Sequence, residues 1–356
     1  MTMIAGAATA AKVIVGVDTH KHLHVAVAID RLGVRLGALT ISADRAGYAT
    51  LEGWATALDT RPAFGIEGTG SYGAGLASFL RRHGHLIIEV NRGDRRARRS
   101  NGKSDTIDAE LAARAVLAGE ARAIPKTADG AAEMLRQLKI ARDTAVKSRT
   151  QAIIALKCLI VNTPPQLRET LAELSDKKLI DRCASLRPGP IDSPLAAAKH
   201  ALRALARRWL DLAAEITQHD RILDHLTRST SPTLRDGFGI GPDTAAEMLV
   251  LFGDNAERVH SDAAFAKLCG AAPIPASSGL TTRHRLGWGG HRQANAALYR
   301  VVIVRMRFHQ PTIDYVTRRT TEGRTKREII RCLKRYLARE IYRRVMTDRT
   351  AIQPIP

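Results

Sequence analysis

Apolar residues recur first at the spacing of strands and then, further along the chain, at the spacing of helices. Val13–Val17 is a short apolar run, followed by the alternating runs Leu23–Ile29 and Val34–Ile41, with turn material at Asp30-Arg31-Leu32-Gly33. Three strands in close succession predict an antiparallel meander. A helix over about 45–58 follows, with Leu51, Trp54, Ala55 and Leu58 at helical spacing. Ala63–Ile66 reads as a buried strand, the segment through Leu80 as a helix, Leu86–Val90 as a strand and about Asp105 to Leu117 as a helix.

The order β-β-β-α-β-α-β-α over residues 1–125 is that of the ribonuclease H fold, an α/β arrangement. Residues 126–228 read as helical. Ala131–Val161 and Leu195–Leu226 carry apolar residues three and four apart, such as Leu202, Leu205, Trp209, Leu212 and Ile216. Pro164-Pro165 and Leu186–Pro194 interrupt that pattern. The expectation is an antiparallel helical coiled coil with a shorter insert, the alternative being helices that pack within one domain. Residues 229–356 are expected to form a mainly α C-terminal domain. There Phe238-Gly239-Ile240-Gly241 precedes a helix at about 243–252, which suggests a helix-hairpin-helix element or an ordinary helix-start turn. Gly323 to Val345 reads as a basic helix.

Charge changes this picture most. The 55 Lys and Arg against 35 Asp and Glu leave a formal net charge of +20, which suits a phosphate backbone. It is concentrated downstream, where residues 256–356 carry 20 basic and 7 acidic side chains. Aromatic residues make up 4 %, too few for an extended base-stacking platform. No run reaches about 18 apolar residues, so no spanning helix is expected, and Lys12 interrupts the apolar start where a leader would need continuity. Cys158, Cys183, Cys269 and Cys332 lack metal-binding spacing and read as reduced thiols of a cytoplasmic, nucleoid-associated protein.

Against this cationic background stand four acids, each where a strand ends or a helix begins: Asp18, Glu67, Asp105 and Asp108. Grouped carboxylates repel one another until a cation relieves them, and oxygen donors suit Mg²⁺, with Mn²⁺ as an alternative. Asp105 and Asp108, three apart, share one side of a helix. Taken singly, each acid is equally a cap or a surface pair. Ser277 and Ser278 precede Gly279 and are either a turn or a nucleophile with a remote base. Candidate phosphate contacts are Arg95, Arg96, Arg98, Arg99 and Lys103 in a basic loop, and Gly239 and Gly241 in the glycine turn. Arg283, Arg285 and Arg292 follow beside the serines, and Arg331, Lys334, Arg335 and Arg339 lie on the last helix.

Three N-terminal segments, Val15-Gly16-Val17-Asp18-Thr19-His20-Lys21, Gly65-Ile66-Glu67-Gly68-Thr69-Gly70-Ser71-Tyr72 and Lys103-Ser104-Asp105-Thr106-Ile107-Asp108-Ala109, resemble the insertion-sequence 110 family of transposases. So do Phe265–Pro273, Ser277-Ser278-Gly279 and Arg331–Glu340 in the C-terminal half. The resemblance implies a RuvC-like domain whose acids Asp18, Glu67, Asp105 and Asp108 bind Mg²⁺. It also implies a serine that attacks a DNA phosphate to form a 5′-phosphoserine link. Five residues past Pro273 lies Ser278, with Ser277 the alternate. The family further implies a non-coding bridge RNA pairing with donor and target DNA, and homodimers assembling into a tetramer. Two departures are Phe238-Gly239, where the family usually has Pro-Gly, and Gly287-Trp288, in place of a polar or basic pair. The rival readings are a metal-dependent nuclease or junction resolvase that uses water, and a basic architectural protein.

Overall fold

Val13–Thr19 (β1) is the central strand of a five-stranded sheet in the computed structural model, which describes residues 11–91, 104–255, 258–279, 284–285, 287 and 289–352. The chain divides into two compact units, Met1–Ala128 and Asp129–Pro356. In the first, β1 pairs antiparallel with Leu23–Asp30 (β2), which pairs antiparallel with Arg35–Ser42 (β3) across a bulge at Ala28/Ile29. On its other side β1 runs parallel to Ala63–Glu67 (β4), and β4 runs parallel to Leu86–Val90 (β5). The order is β3-β2-β1-β4-β5, a mixed sheet consistent with a RuvC-like domain.

Alternation along β1 and β4 decides which helix covers which face. Val13, Val15, Val17, Phe64 and Ile66 share a core with Leu51 and Ala55 of helix Arg45–Leu58 (α1) and with Leu76 and Leu80 of Ala74–Arg82 (α2). Asp44 starts α1 by accepting the Gly47 N–H at 2.9 Å. Leu58, expected on the buried stripe, is exposed at the last turn. Ile14 and Ile88 point to the opposite face, against Ala109, Ala112, Ala113 and Val116 of Asp105–Leu117 (α3). Gly16 and Gly65 lie on that same face. A methyl on Gly65 would stand 2.7 Å from Val116 Cγ2 and 3.1 Å from the Ala112 carbonyl oxygen. Two strand glycines thus let α3 lie close to the sheet.

Among the described residues the second unit is built of helices and one short ribbon. Ala131–Val161 (α4) and Pro194–Thr230 (α7) pack antiparallel. Arg142 Nε meets Asp220 Oδ1 at 2.6 Å near one end, and the Arg149 guanidinium sits 5.4 Å from the Trp209 ring centre further along. Pro165–Ala172 (α5) and Asp176–Ala184 (α6) connect them and close a core at the far end of the pair through Leu156, Leu171, Ile180, Cys183 and Leu202. The near end joins another core through Leu135 and Leu223. That core is built by Pro232–Arg235 (α8), Pro242–Phe252 (α9), Asp262–Leu268 (α10), Arg292–Phe308 (α11) and Lys326–Ile352 (α13). Phe252 and Phe265 stack within it at 4.3 Å. Gln310–Thr321 (α12) joins α11 to α13. Ile274–Pro275 (β6) and His284–Arg285 (β7) form the ribbon, pairing Ile274 with Arg285 and Pro275 with His284. Among the described residues no helix is long and apolar enough to cross a membrane.

Candidate active site

Asp18 follows Val17 in β1, so it shares the face of Ile14 and Gly16, the face covered by α3. The β1/β4 register ends by pairing Val17 with Ile66, so Asp18 and Glu67 each come next after that pair on their own strands. Thr19 Oγ1 donates to the Glu67 carbonyl at 2.9 Å and ties the two strand ends together. The helix contributes Asp105 and Asp108 in its first turn. Ser104 caps that turn by accepting the Ile107 N–H at 3.3 Å, and the exposed N–H groups there favour acidic neighbours.

These elements converge on Asp18, which is 8 % exposed. His20 Nε2 lies 3.2 Å from Asp18 Oδ2 and 3.5 Å from Asp105 Oδ1, so one imidazole bridges strand and helix. Ligand atoms of Asp18, His20 and Asp105 all lie within 4.8 Å of one another. Burial pushes the Asp18 carboxyl above its ordinary range. His20 opposes that shift, and the negative charges of Asp108 and Asp105 add to it. Two carboxylates and an imidazole fit a divalent cation, so the residues present suit the metal that such domains hold.

The sequence-derived acids are therefore brought together unequally. Asp18 and Asp105 share the tight group, Asp108 is buried and close enough to perturb Asp18, and Glu67 stands on the adjoining strand end. His20, which joins this group, is not among the candidates read from the sequence. Its signal was slight, because His20 lies just past the end of β1, where strand alternation no longer fixes the direction of a side chain.

The downstream candidates all lie in the second unit. Ser277 and Ser278 are exposed just beyond β6, ahead of Gly279 at φ +55°. Arg285 lies on β7, and Arg292 is exposed on the first turn of α11. On α13, Arg331 is exposed and Lys334 is buried with its ammonium 2.9 Å from Asn295 Oδ1. Arg335 and Arg339 share Asp262 Oδ2 at 3.2 and 2.9 Å. Arg95, Arg96, Arg98, Arg99, Lys103, Arg283 and Trp288 lie outside the described residues.

The glycine turn runs from α8 into α9, with Gly239 at φ +75° and the Phe238 ring tilted against that of His309 at 5.0 Å. Arg305 Nε donates to the Phe238 carbonyl at 2.9 Å while its other nitrogens grip Glu340 at 2.6 and 3.0 Å. Gly241 caps α9, Pro242 contributes no N–H, and Asp243 in the first turn is held by Lys139 at 2.6 Å and Arg300 at 2.9 Å. Burial pushes the thiols of Cys183 and Cys269 up to about 11 and about 12, so neither is a thiolate nucleophile at neutral pH.

Residues 15–165 match a transposase family profile, the DEDD transposase of the insertion-sequence 110 group. Residues 231–317 match a second profile, the transposase of the IS116/IS110/IS902 family. No curated protein matches the chain.

Proposed function

Since the chain belongs to the insertion-sequence 110 family of transposases, we propose that it moves DNA by cutting and rejoining strands through a covalent 5′-phosphoserine link. The observation that carries this reading is the convergence of Asp18, His20 and Asp105 beside Asp108. Asp18, Glu67, Asp105 and Asp108, with His20 added, would hold a divalent cation, Mg²⁺ or Mn²⁺. When bound, the cation relieves carboxylate repulsion and stabilises the charge of a phosphate under attack.

Ser278 is the proposed nucleophile, with Ser277 the alternate. Its Oγ attacks the scissile phosphorus and loses its proton to a base, and the 3′ oxygen departs and takes up a proton. Arg283, Arg285 and Arg292 balance charge on the phosphate. The phosphoserine ester keeps the energy of the broken phosphodiester, so a 3′ hydroxyl can attack it to rejoin a strand without ATP. Residues 1–125 act as the carboxylate domain, 126–228 as a dimerisation element and 229–356 as the serine domain. Homodimers pair into a tetramer, and a non-coding bridge RNA selects donor and target DNA by base pairing. Arg95, Arg96, Arg98, Arg99, Lys103, Gly239, Gly241, Arg331, Lys334, Arg335 and Arg339 contact the nucleic acids.

A second reading, a metal-dependent nuclease or junction resolvase using water, is favoured by one observation: the grouped carboxylates are assembled within the first unit alone. A denaturing-gel search for a protein–DNA adduct separates the two. The protein is incubated with Mg²⁺, co-purifying RNA and DNA bearing its own element junction. An adduct lost in Ser278→Ala, kept in Ser277→Ala and absent in Asp18→Ala is expected. Cleavage without an adduct, unaffected by either serine change, refutes the phosphoserine step.

A further inference from the structure

Beside the serine segment the second unit holds a cavity of about 600 Å³, with one wall apolar and the other cationic. Gly270–Pro273 and Tyr336 supply the apolar side, and Pro273 leads directly into β6 and the serines. Arg285 comes from the facing strand β7, Arg319 from the end of α12, and Arg331, Lys334 and Arg335 from successive turns of α13. Arg324 and Glu328 also line it, paired with each other at 3.7 Å.

The cations outnumber their partners. Arg319 is paired with Glu322, and Arg335 Nη2 with Asp262 at 3.2 Å. Arg285 and Arg331 meet no carboxylate at ion-pair distance among the described residues. Two further observations accompany this excess of cations. Arg335 Nη1 is buried without a hydrogen-bond partner among the described residues. Lys334 is 7 % exposed, and burial together with the neighbouring Arg331 pushes its ammonium below the usual lysine range. Tyr336 is 51 % exposed, meeting Tyr315 edge-on at 5.8 Å, so a large part of its ring surface remains free.

We infer that this cavity receives one unpaired nucleotide of the DNA strand being processed, its phosphate held by Arg285, Arg331 and Arg335 and its base laid against Tyr336. A duplex does not fit the requirement, because its bases stay stacked and present only their edges in the grooves, so no base face is free to lie against the apolar wall. An extruded nucleotide meets both walls, and a volume of this size lies in the range of about 300–1,000 Å³ typical of small-ligand pockets. The inference rests on the DNA strand-transfer reading and adds to it a step in which the strand is unpaired beside the serines.

The test uses the full-length chain and short deoxyoligonucleotides at one fixed salt concentration. One strand carries a single 2-aminopurine, a second an abasic site at that position, and a third is the matched duplex. Stacking on Tyr336 predicts quenched 2-aminopurine fluorescence and about tenfold tighter binding than to the abasic strand. Tyr336→Ala removes both the quenching and the preference, and Tyr336→Phe restores them. Arg331→Ala weakens binding to both single strands alike. Equal affinity for the abasic strand, or no quenching with the unaltered chain, overturns the inference. A ribo-oligonucleotide bound more than tenfold better than its DNA counterpart also overturns it.

The adduct assay keeps the two readings apart. An adduct on Ser278 without any base preference refutes the nucleotide pocket alone. A base preference abolished by Tyr336→Ala in a chain that cleaves DNA without forming an adduct upholds the pocket and refutes the phosphoserine reading.

Discussion

Gly16→Ala tests how the carboxylates are brought together. Gly16 sits two residues before Asp18 on the face covered by α3, and a methyl there would overlap the Ala109 carbonyl oxygen and the Ala113 nitrogen. It would also stand 2.9 Å from Ala113 Cβ, where carbon atoms normally keep about 3.5–4.0 Å. The helix must therefore recede by roughly 1 Å, and Asp105 and Asp108, within one turn of Ala109, recede with it. Overpacking of this kind destabilises by about 1–3 kcal/mol, which a folded unit of this size tolerates. The site is less tolerant, because His20 reaches Asp18 at 3.2 Å and Asp105 at 3.5 Å from opposite elements. Divalent-metal affinity, measured by calorimetry with Mn²⁺, is expected to fall about 10–100-fold, and strand cleavage about 100-fold. A folded Gly16→Ala chain with unaltered Mn²⁺ affinity and cleavage would show that α3 does not need this close approach.

Gly53→Ala is the matching control, since a methyl there meets nothing within 4 Å inside α1, and it should stabilise the chain by about 0.5–1 kcal/mol in thermal melts. Adding Mn²⁺ at about 100 times its dissociation constant should stabilise the first unit by about 2.7 kcal/mol, and Asp18→Ala should abolish that gain. The sign follows from Asp18: its raised carboxyl means that ionisation costs stability as the pH climbs past about 3.9, and a bound cation removes that cost. Asp243 behaves oppositely. Burial acts to raise its carboxyl, but Lys139 at 2.6 Å, Arg142 at 3.3 Å and Arg300 at 2.9 Å outweigh burial and hold it below the usual range. Its stabilisation is complete above about 3.9 and lost as the pH falls through the lower folded value. Urea melts of Asp243→Asn should show a loss of about 1–3 kcal/mol near neutrality, discounted for partial exposure, and a shallower decline in acid.

Local pattern carried most of the N-terminal fold. The apolar run Val13–Val17, the alternation in Leu23–Ile29 and the helical spacing of Leu51 and Ala55 are properties of neighbouring residues, and the strands and helices formed where that pattern placed them. The acids were legible for the same reason, since Asp18, Glu67, Asp105 and Asp108 stand at strand ends and in a first helical turn. Pattern states that a face is buried but not what buries it. Only the folded sheet shows that α3 rather than α1 covers the face shared by Gly16, Asp18 and Gly65, and that His20 thereby meets Asp105 across 85 residues of chain. The cavity at Tyr336 was hidden for a like reason. Its walls come from Gly270–Pro273, β7, the end of α12 and α13, and the sequence shows their charges without showing that they enclose one volume. Periodicity of 2.0 or 3.6 residues is set by the backbone and can be read in any short window. Which distant surfaces meet is set by packing summed over the whole core, and that sum exists only in three dimensions.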